Sequence, residues 1–492
     1  MFKNFHGFHL IKSYHRERHK RHFQLTGYVK AIIAAVLSLI VAFLPTEMIG
    51  LPGLDAVQQR VIAVFLFAAI MWLSEAIPSW CTSVIVIVVL LLTVSNKSLG
   101  WLQGVEGAHY VPYKDIMHCF ADPTIMLFIG GFILAIGMTK TGLDVVLAKY
   151  FLAPFGTTPK FVLLGFILVT AVFSAFVSNT ATAAMMFAFL TPVLRALPDG
   201  SRERASLALA IPIGANIGGI ATPIGTPPNT IVLGYLNETL GLTVGFGEWM
   251  LKMVPFVLIL LLAAWYMLRI MFPFEQKEIV LKIEHHHAVT RDLWIVAITF
   301  AITIILWCLP EDSGLGLNSY IISLIPMGVF ATAGILTRRD LEEINWSVLW
   351  MVAGGFALGL ALNSTKLSTV LIDAIPFAQW SPLVVMIISG LVCFGFSNFI
   401  SHSAAASLLT PVLGVVAGAM QAAGTLDGGG VATMLIGVAI AASVSMILPI
   451  STPPNAIAAA TGFFTQQQLM KVGILLGIIG LVVGYAWMFL VF

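Results

Sequence analysis

Two segments of the sequence decide the fold, Gly225-Thr-Pro-Pro-Asn-Thr-Ile231 and Ser451-Thr-Pro-Pro-Asn-Ala-Ile457. Each one interrupts a long apolar stretch with two consecutive prolines, which remove two amide donors and push the preceding residue away from helical geometry. Because unpaired backbone groups cost several kcal/mol in hydrocarbon, a broken helix persists in a membrane only where it is buried or lines a cavity. The two segments therefore predict two discontinuous helices that border a polar site.

The composition of the whole chain is that of a protein embedded in lipid. Hydrophobic residues make up 59% and charged residues 10% of the 492 residues, whereas soluble domains average about 25% charged residues. The mean hydropathy is +0.97. Four cysteines without CxxC spacing predict neither a disulfide framework nor a zinc site. The chain has no HExxH or GxSxG motif and no paired intramembrane aspartates, so we predict neither an enzyme nor a nucleic-acid partner.

We predict an all-α polytopic membrane protein with eleven spans and two shorter re-entrant hairpins. A helix needs about 20 predominantly apolar residues to cross the bilayer core. The hairpins lie near 160–192 and 383–419. The eleven spans lie near 28–45, 61–78, 79–95, 123–139, 205–236, 250–272, 292–309, 317–336, 346–363, 431–460 and 470–492.

The basic residues predict the orientation, because Lys and Arg concentrate in cytoplasmic loops. With the N-terminus in the cytoplasm and the side alternating at each span, 20 of the 25 Lys and Arg residues fall inside and five outside. The C-terminus is then outside. The short loops and the lack of an organelle presequence favour a multi-pass protein of the cell inner membrane.

The second half of the sequence repeats the first. Three segments recur in the same order at offsets between 223 and 226 residues, which indicates an internal duplication. The matches are Gly130–Leu134 with Gly354–Leu358, Ser178–Ala184 with Ser401–Ser407, and Gly225–Ile231 with Ser451–Ile457. Because each copy holds an odd number of crossings, the second copy enters the membrane from the opposite face, as in many secondary transporters.

Four regions follow from the duplication. Residues 1–60 form a basic cytoplasmic tail and the first span, and residues 61–272 form the first inverted repeat. Residues 273–291 are a cytoplasmic linker, and residues 292–492 form the second inverted repeat. Each repeat contains one of the two hairpins.

Short polar residues are expected at the hairpin tips, Ser178-Asn-Thr180 and Ser401-His-Ser403. Their side chains fit a turn and can cap the half-helix that follows. With the two proline breaks, four half-helix N-termini can meet near the midplane, each with roughly half a positive charge and open N–H groups. Such ends bind carboxylates without Lys or Arg, and freed carbonyl oxygens nearby suit Na⁺. We therefore predict an anion site beside a sodium site.

The Ser178-Asn179-Thr180 signature, the paired Thr-Pro-Pro-Asn breaks and the eleven-span layout resemble the divalent anion/sodium symporter family. Its members carry dicarboxylates, citrate or sulfate. The resemblance covers nearly the whole chain after the basic tail. It implies a homodimer in which a transport domain slides like an elevator against a fixed scaffold. The moving part would be the hairpins and the spans near 205–272 and 431–492.

The same resemblance implies which residues hold the ligands. The substrate pocket would be lined by Asn179, Thr180, Thr226, Pro227, Ser401, His402, Ser403, Thr452 and Pro453. The first sodium site would use Asn179 with the backbone of Ser174, Ser178 and Gly225. The second sodium site would use position 402 with the backbone of Ser397, Ile400 and Ser451.

One position departs from the family pattern. The second signature, usually Ser-Asn-Thr, reads Ser401-His402-Ser403. A neutral imidazole offers Na⁺ a poorer ligand than an amide oxygen, whereas an imidazolium could stand in for a second cation. His402 leaves open a weakened sodium site, proton-linked coupling, exchange without sodium, or a ring that only packs against a hydroxyl.

We predict a secondary active transporter of di- and tricarboxylate anions, of the succinate, malate or fumarate type, coupled to Na⁺. A sodium-independent or proton-linked dicarboxylate exchanger, with His402 in place of a cation, is the alternative, and a sulfate transporter is a further one. A channel would also fit the composition, but it gives no reason for paired hairpin signatures.

Overall fold

The computed structural model describes residues 25–198, 201–279, 289–309, 317–374 and 380–491. Within these ranges the regular structure is helical, apart from one isolated β-bridge between Ser95 and Val111. The predicted all-α class is therefore confirmed. The predicted basic tail up to residue 24 and the middle of the predicted linker, 280–288, lie outside the described residues.

The first half begins with a helix and ends on the helix before the linker. Its helices are α1 (Leu25–Phe43), α2 (Ala56–Ser74), α3 (Ser79–Thr93), α4 (Tyr113–His118), α5 (Pro123–Thr141), α6 (Leu143–Leu152), α7 (Pro159–Phe176), α8 (Asn179–Ala196), α9 (Arg202–Gly218), α10 (Pro227–Gly234) and α11 (Phe246–Met271). Proline is the first residue of α5, α7 and α10. Its missing N–H and fixed φ are tolerated at the first position of a helix, so each of these prolines opens the helix that follows it.

The second half has the same order of helices after the linker. Its helices are α12 (Arg291–Cys308), α13 (Ser319–Thr332), α14 (Arg338–Glu342), α15 (Trp346–Ser364), α16 (Leu367–Ala374), α17 (Pro382–Phe399), α18 (His402–Ala422), α19 (Gly428–Ser443), α20 (Pro453–Ala460) and α21 (Gln466–Val491). Proline again opens α17 and α20, at the positions that correspond to the starts of α7 and α10.

Ten helices of the described chain are long and apolar enough to cross a bilayer, and four shorter helices are also apolar. The ten include α7, α17 and α18 of the hairpins, because length and composition do not separate a re-entrant helix from a crossing one. The predicted spans near 205–236 and 431–460 each contain two helices, α9 with α10 and α19 with α20. Both predicted breaks are thus present, and the number of eleven crossings stays a prediction.

Each hairpin turns at its signature serine. Ser178 stands between α7 and α8, and its hydroxyl oxygen accepts a hydrogen bond from the Ala181 N–H at 3.2 Å. Ser401 stands between α17 and α18 and accepts from the Ala404 N–H at 3.3 Å. The predicted capping is therefore present in both hairpins, and it places residues 179 and 402 in the first turn of a helix.

Two helix crossings join the halves, and each crossing is the counterpart of the other in the duplication. Helix α5 packs on α13 and helix α3 packs on α15, so each crossing combines one helix from either half. Gly130 lies against Ser323 at the first crossing, and Gly354 lies against Ser83 at the second. A Cβ atom at Gly354 would stand 2.5 Å from the Ser83 Cβ atom. Glycine is therefore needed at position 354 for the two helices to approach this closely.

We expect Gly354→Val to destabilise the protein at the α3–α15 crossing. Overpacking a closely fitted interface costs about 1–3 kcal/mol, so the melting temperature of the purified protein in detergent should fall. Gly328→Val in α13 is the matched control, because a Cβ atom at Gly328 meets nothing within 4 Å among the described residues. Equal melting temperatures for the two variants would contradict this account of the crossing.

The half-helix that follows each proline break packs against the hairpin of the opposite half. Helix α10 packs on α18, and helix α20 packs on α8. Helix α9 is almost wholly buried and contacts α20, while α19 contacts α10. The starts of the four half-helices, at residues 179, 227, 402 and 453, thus lie on helices that pack against one another across the two halves.

Candidate functional site

The asparagine of the first Thr-Pro-Pro-Asn motif bridges the break that the prolines create. The Asn229 side-chain nitrogen donates to the carbonyl oxygens of Gly219 at 3.1 Å, Ile220 at 3.3 Å and Thr222 at 2.8 Å. These carbonyls lie beyond the end of α9, where the helical ladder stops. Buried carbonyls need partners, and here a side chain supplies them.

The second motif repeats this arrangement at the same offset. The Asn455 side-chain nitrogen donates to the carbonyl oxygens of Met446 at 2.9 Å and Leu448 at 3.1 Å, the positions that correspond to Ile220 and Thr222. The sequence predicted that the freed carbonyls would face the site. The structure instead shows that the motif asparagines take up several of them, a role that the sequence reasoning missed although both asparagines stand at matching positions.

One side chain joins the two breaks across the halves. Asn216, in α9, donates through its side-chain nitrogen to the Thr452 hydroxyl at 3.2 Å and to the Asn455 side-chain oxygen at 3.0 Å. The corresponding position in α19 is Ala442, so the reciprocal bond cannot form. Accordingly, the buried Asn229 side-chain oxygen has no hydrogen-bond partner within the described chain.

The predicted first sodium site is a compact group of oxygen atoms. The Ser174 hydroxyl lies 2.5 Å from the Asn179 side-chain oxygen and 2.7 Å from the Ala215 carbonyl oxygen. A hydroxyl carries only one hydrogen, so it cannot donate fully to both acceptors. The surplus of electron-rich oxygen is the environment that hard cations prefer.

Two glycines bring further backbone oxygens to the same place. A Cβ atom at Gly219 would lie 2.9 Å from the Asn179 side-chain oxygen and 3.0 Å from the Gly225 carbonyl oxygen. Asn179 and Gly225, both predicted from the sequence, therefore meet at Gly219, which the sequence reasoning did not single out. The fourth predicted residue, Ser178, caps α8 beside them. Together with Ser174, these residues place several oxygen atoms close together, the kind of ligand that a sodium ion would need.

The residues predicted to hold the substrate lie at the four half-helix starts. Thr226, Thr452 and Ser403 are buried, whereas Asn179, Thr180, Pro227, Ser401, His402 and Pro453 are partly exposed. The segments around them, 174–180, 219–229, 397–403 and 445–455, contain no Lys, Arg, Asp or Glu. A favourable field for an anion would therefore come from the helix N-termini and their N–H groups.

The predicted second sodium site has a different arrangement. The His402 Nε2 atom lies 2.6 Å from the Ser445 carbonyl oxygen. Because a carbonyl only accepts, this ring nitrogen carries the hydrogen. Ser397 and Ile400 are buried, and the Ser451 hydroxyl donates to the Leu448 carbonyl at 2.7 Å. The imidazole thus binds a backbone oxygen, an alternative that the sequence reasoning did not weigh.

Related sequences are transporters with several different descriptions. The family model described as citrate transporter matches residues 69–428. The sodium-dependent dicarboxylate transporter SdcS of Staphylococcus saprophyticus is 26% identical over 494 residues, which cover 94% of this chain and 90% of that protein. An uncharacterized transporter of Schizosaccharomyces pombe is 30% identical over 394 residues and 78% of this chain. The inorganic phosphate transporter PHO87 of Saccharomyces cerevisiae is 28% identical over 410 residues and 82% of this chain.

The lengths of these relatives differ. The aligned part covers 44% of the S. pombe protein and 43% of the S. cerevisiae protein, so this chain spans less than half of either. Of the three relatives named, the bacterial one is matched over 90% of its length.

Two solved transporter structures share the fold. The YdaH transporter of Alcanivorax borkumensis superposes with a TM-score of 0.52 at 14% identity, covering 77% of this chain and 86% of that one. MtrF of Neisseria gonorrhoeae gives 0.53 at 14% identity, covering 87% and 96%. The family model and both solved structures describe transporters, which agrees with the prediction that this chain is not an enzyme. With a family model that matches well over half of its residues, the chain belongs to the citrate transporter family.

Proposed function

We propose that this protein is a secondary active transporter that couples uptake of di- and tricarboxylates, of the succinate, malate or fumarate type, to Na⁺. The observation that carries the proposal is the surplus of oxygen around Asn179, where the Ser174 hydroxyl serves two acceptors and Gly219 and Gly225 approach closely. The relative SdcS, described as a sodium-dependent dicarboxylate transporter, supports the choice of cation and substrate class.

In this proposal the sodium site and the anion site share a side chain. The Asn179 side-chain oxygen contributes to the cation site, while its position in the first turn of α8 places it at the edge of the anion site. Bound Na⁺ would add positive charge next to the N-termini of α8 and α10, so each ligand would strengthen binding of the other. Thr180 and Thr226 would then offer hydroxyls to a carboxylate.

In the proposed architecture, both repeats contribute to one moving transport domain and to one fixed scaffold. The repeats, residues 61–272 and 292–492, would each contribute a hairpin and a broken helix to a transport domain that slides as an elevator. The reciprocal crossings α5–α13 and α3–α15 would belong to the fixed scaffold. We further propose a homodimer in the inner membrane, with the N-terminus in the cytoplasm and the C-terminus outside.

A second candidate function is exchange of dicarboxylates without sodium or linked to protons. The observation that favours it is the contact of His402 with Ser445 at 2.6 Å, since an imidazole occupies a position where the symporter family has an asparagine. The relationship to a phosphate transporter adds a third possibility, an inorganic oxyanion substrate, beside the predicted alternative of sulfate.

Reconstituted protein distinguishes these functions. We expect labelled succinate to enter proteoliposomes when an inward sodium gradient is present and not when choline replaces sodium. Unlabelled citrate, sulfate and phosphate, added as competitors, would rank the substrates. Equal uptake in sodium and choline would contradict symport. Uptake that occurs only into vesicles preloaded with succinate would identify the exchanger.

A further inference from the structure

The two halves differ in chemistry at three corresponding positions around the sodium sites. The hairpins match at an offset of 223 residues and the breaks at 226. His402 therefore corresponds to Asn179, Ser445 to Gly219 and Ser451 to Gly225. Asn229 and Asn455 donate to the carbonyls one and three positions after Gly219 and Ser445, respectively, which agrees with the offset of 226. The comparison therefore joins equivalent places.

In the first half, the Gly219 carbonyl accepts a hydrogen bond from the Asn229 side-chain nitrogen at 3.1 Å, and the Asn179 side-chain oxygen and the Gly225 carbonyl lie beside Gly219. Neither Gly219 nor Gly225 has a side chain, and their backbones approach so closely that a Cβ atom at Gly225 would lie 2.5 Å from the Gly219 carbonyl oxygen. The Asn179 side-chain oxygen shares one hydroxyl hydrogen with the Ala215 carbonyl. A cation can therefore gain the Asn179 side-chain oxygen as a ligand while the Ser174 hydroxyl keeps its hydrogen bond to the Ala215 carbonyl.

In the second half, side chains form hydrogen bonds at the corresponding positions. The His402 N–H donates to the Ser445 carbonyl, the counterpart of the Gly219 carbonyl, at 2.6 Å. The Ser445 hydroxyl reaches the carbonyl oxygens of Phe394 at 3.1 Å and Ala441 at 2.8 Å. The serine at position 451 turns its hydroxyl to its own loop. Side-chain atoms thus stand where the first half has two bare glycines.

A further asparagine, Asn398, holds the second hairpin against the segment between α19 and α20. Asn398 corresponds to Ala175 in the first hairpin. Its side-chain nitrogen donates to the Phe394 carbonyl at 2.7 Å, and its side-chain oxygen accepts from the Ile447 N–H at 2.9 Å. Asn398 thus ties hairpin and break together in the second half, as the Thr222 hydroxyl does in the first half by donating to the Ala175 carbonyl.

We propose that the second half of this transporter binds no sodium ion and that the His402 N–H takes the place of one, so that each chain binds a single sodium ion at Asn179. The residues of the second set do not fit the ion: the His402 N–H points at the Ser445 carbonyl, the counterpart of the Gly219 carbonyl beside the first site, and a cation beside that hydrogen would be repelled. The inference rests on the proposed sodium-coupled function, which it deepens by fixing the number of ions.

The number of bound ions tests the proposal directly. Full-length protein in detergent, equilibrated with radioactive sodium at saturating concentration, should bind one ion per polypeptide. Asn179→Ala should weaken binding of that ion by about ten- to hundredfold, and Asn179→Ser serves as a second variant if the alanine protein does not fold. Two ions per wild-type chain, or wild-type sodium affinity in a folded Asn179 variant, would overturn the assignment.

Giving the second half the residue types of the first half should create a sodium site there. We expect His402→Asn combined with Ser445→Gly, which recreates the chemistry of Asn179 and Gly219, to raise the count to two ions per chain. A count that stays at one would show that His402 is not what excludes the ion. If wild-type protein binds no sodium, the proposed symport is contradicted, and the one-ion count with it. If it binds two ions, only the one-ion count is contradicted. The failure of the proposed function and the failure of this inference therefore give different ion counts.

Discussion

Replacing Asn179 with alanine is expected to lower the initial rate of sodium-driven succinate uptake by about ten- to hundredfold. The change removes an oxygen that faces the proposed cation, and a hydrogen bond or ligand contact to a charged group contributes about 1.5–3 kcal/mol, roughly that range in affinity. The substitution also removes one of the two acceptors of the Ser174 hydroxyl and leaves the Ala215 carbonyl. Uptake into proteoliposomes at several sodium concentrations measures the effect.

The control for this substitution is Asn345→Ala. Asn345 is exposed and precedes α15, so its removal should leave uptake unchanged at equal protein content. The sodium dependence gives a second readout, because loss of a cation ligand should raise the sodium concentration needed for half-maximal uptake. Wild-type rates and wild-type sodium dependence in Asn179→Ala would rule out a cation site at this residue.

The sequence predicted the elements of the site well because each has a local signal. Consecutive prolines cannot continue a helix, so the breaks before Pro227 and Pro453 could be located to the residue. The serine caps of α8 and α18 follow from short polar residues next to apolar runs. The duplication could be found by comparing the sequence with itself.

Contacts between distant residues could not be predicted in the same way. Asn216 meets Asn455 across 239 positions, and His402 meets Ser445 across 43; neither pair has a spacing that marks it in the sequence. Gly219 lies in a glycine-rich stretch where nothing local distinguishes it from its neighbours. For the same reason the sequence marked His402 as a departure but left its role open, whereas the structure shows its hydrogen bond to the Ser445 carbonyl.

The two motif asparagines give a further prediction with a large effect, this time on stability. We expect Asn455→Asp to prevent accumulation of folded protein, or to lower its stability by about 3–5 kcal/mol, the cost of a buried charge without a partner. Aspartate has the same shape but no N–H, so the Met446 and Leu448 carbonyls lose their donor and face a carboxylate instead. Asn229→Asp should act similarly in the first half, since Asn229 donates to three carbonyls there.

Asn318→Asp is the matched control for this substitution, because it separates loss of the donor from a general intolerance of aspartate. Asn318 caps α13 only through its oxygen, which accepts from the Ile321 N–H at 3.0 Å, and aspartate keeps that oxygen. A carboxylate at a helix N-terminus is also favoured by the helix dipole. Melting temperature and the yield of monodisperse protein in detergent would measure both variants. If Asn455→Asp proved as stable as Asn318→Asp, the breaks would have to be held together by something other than the motif asparagines.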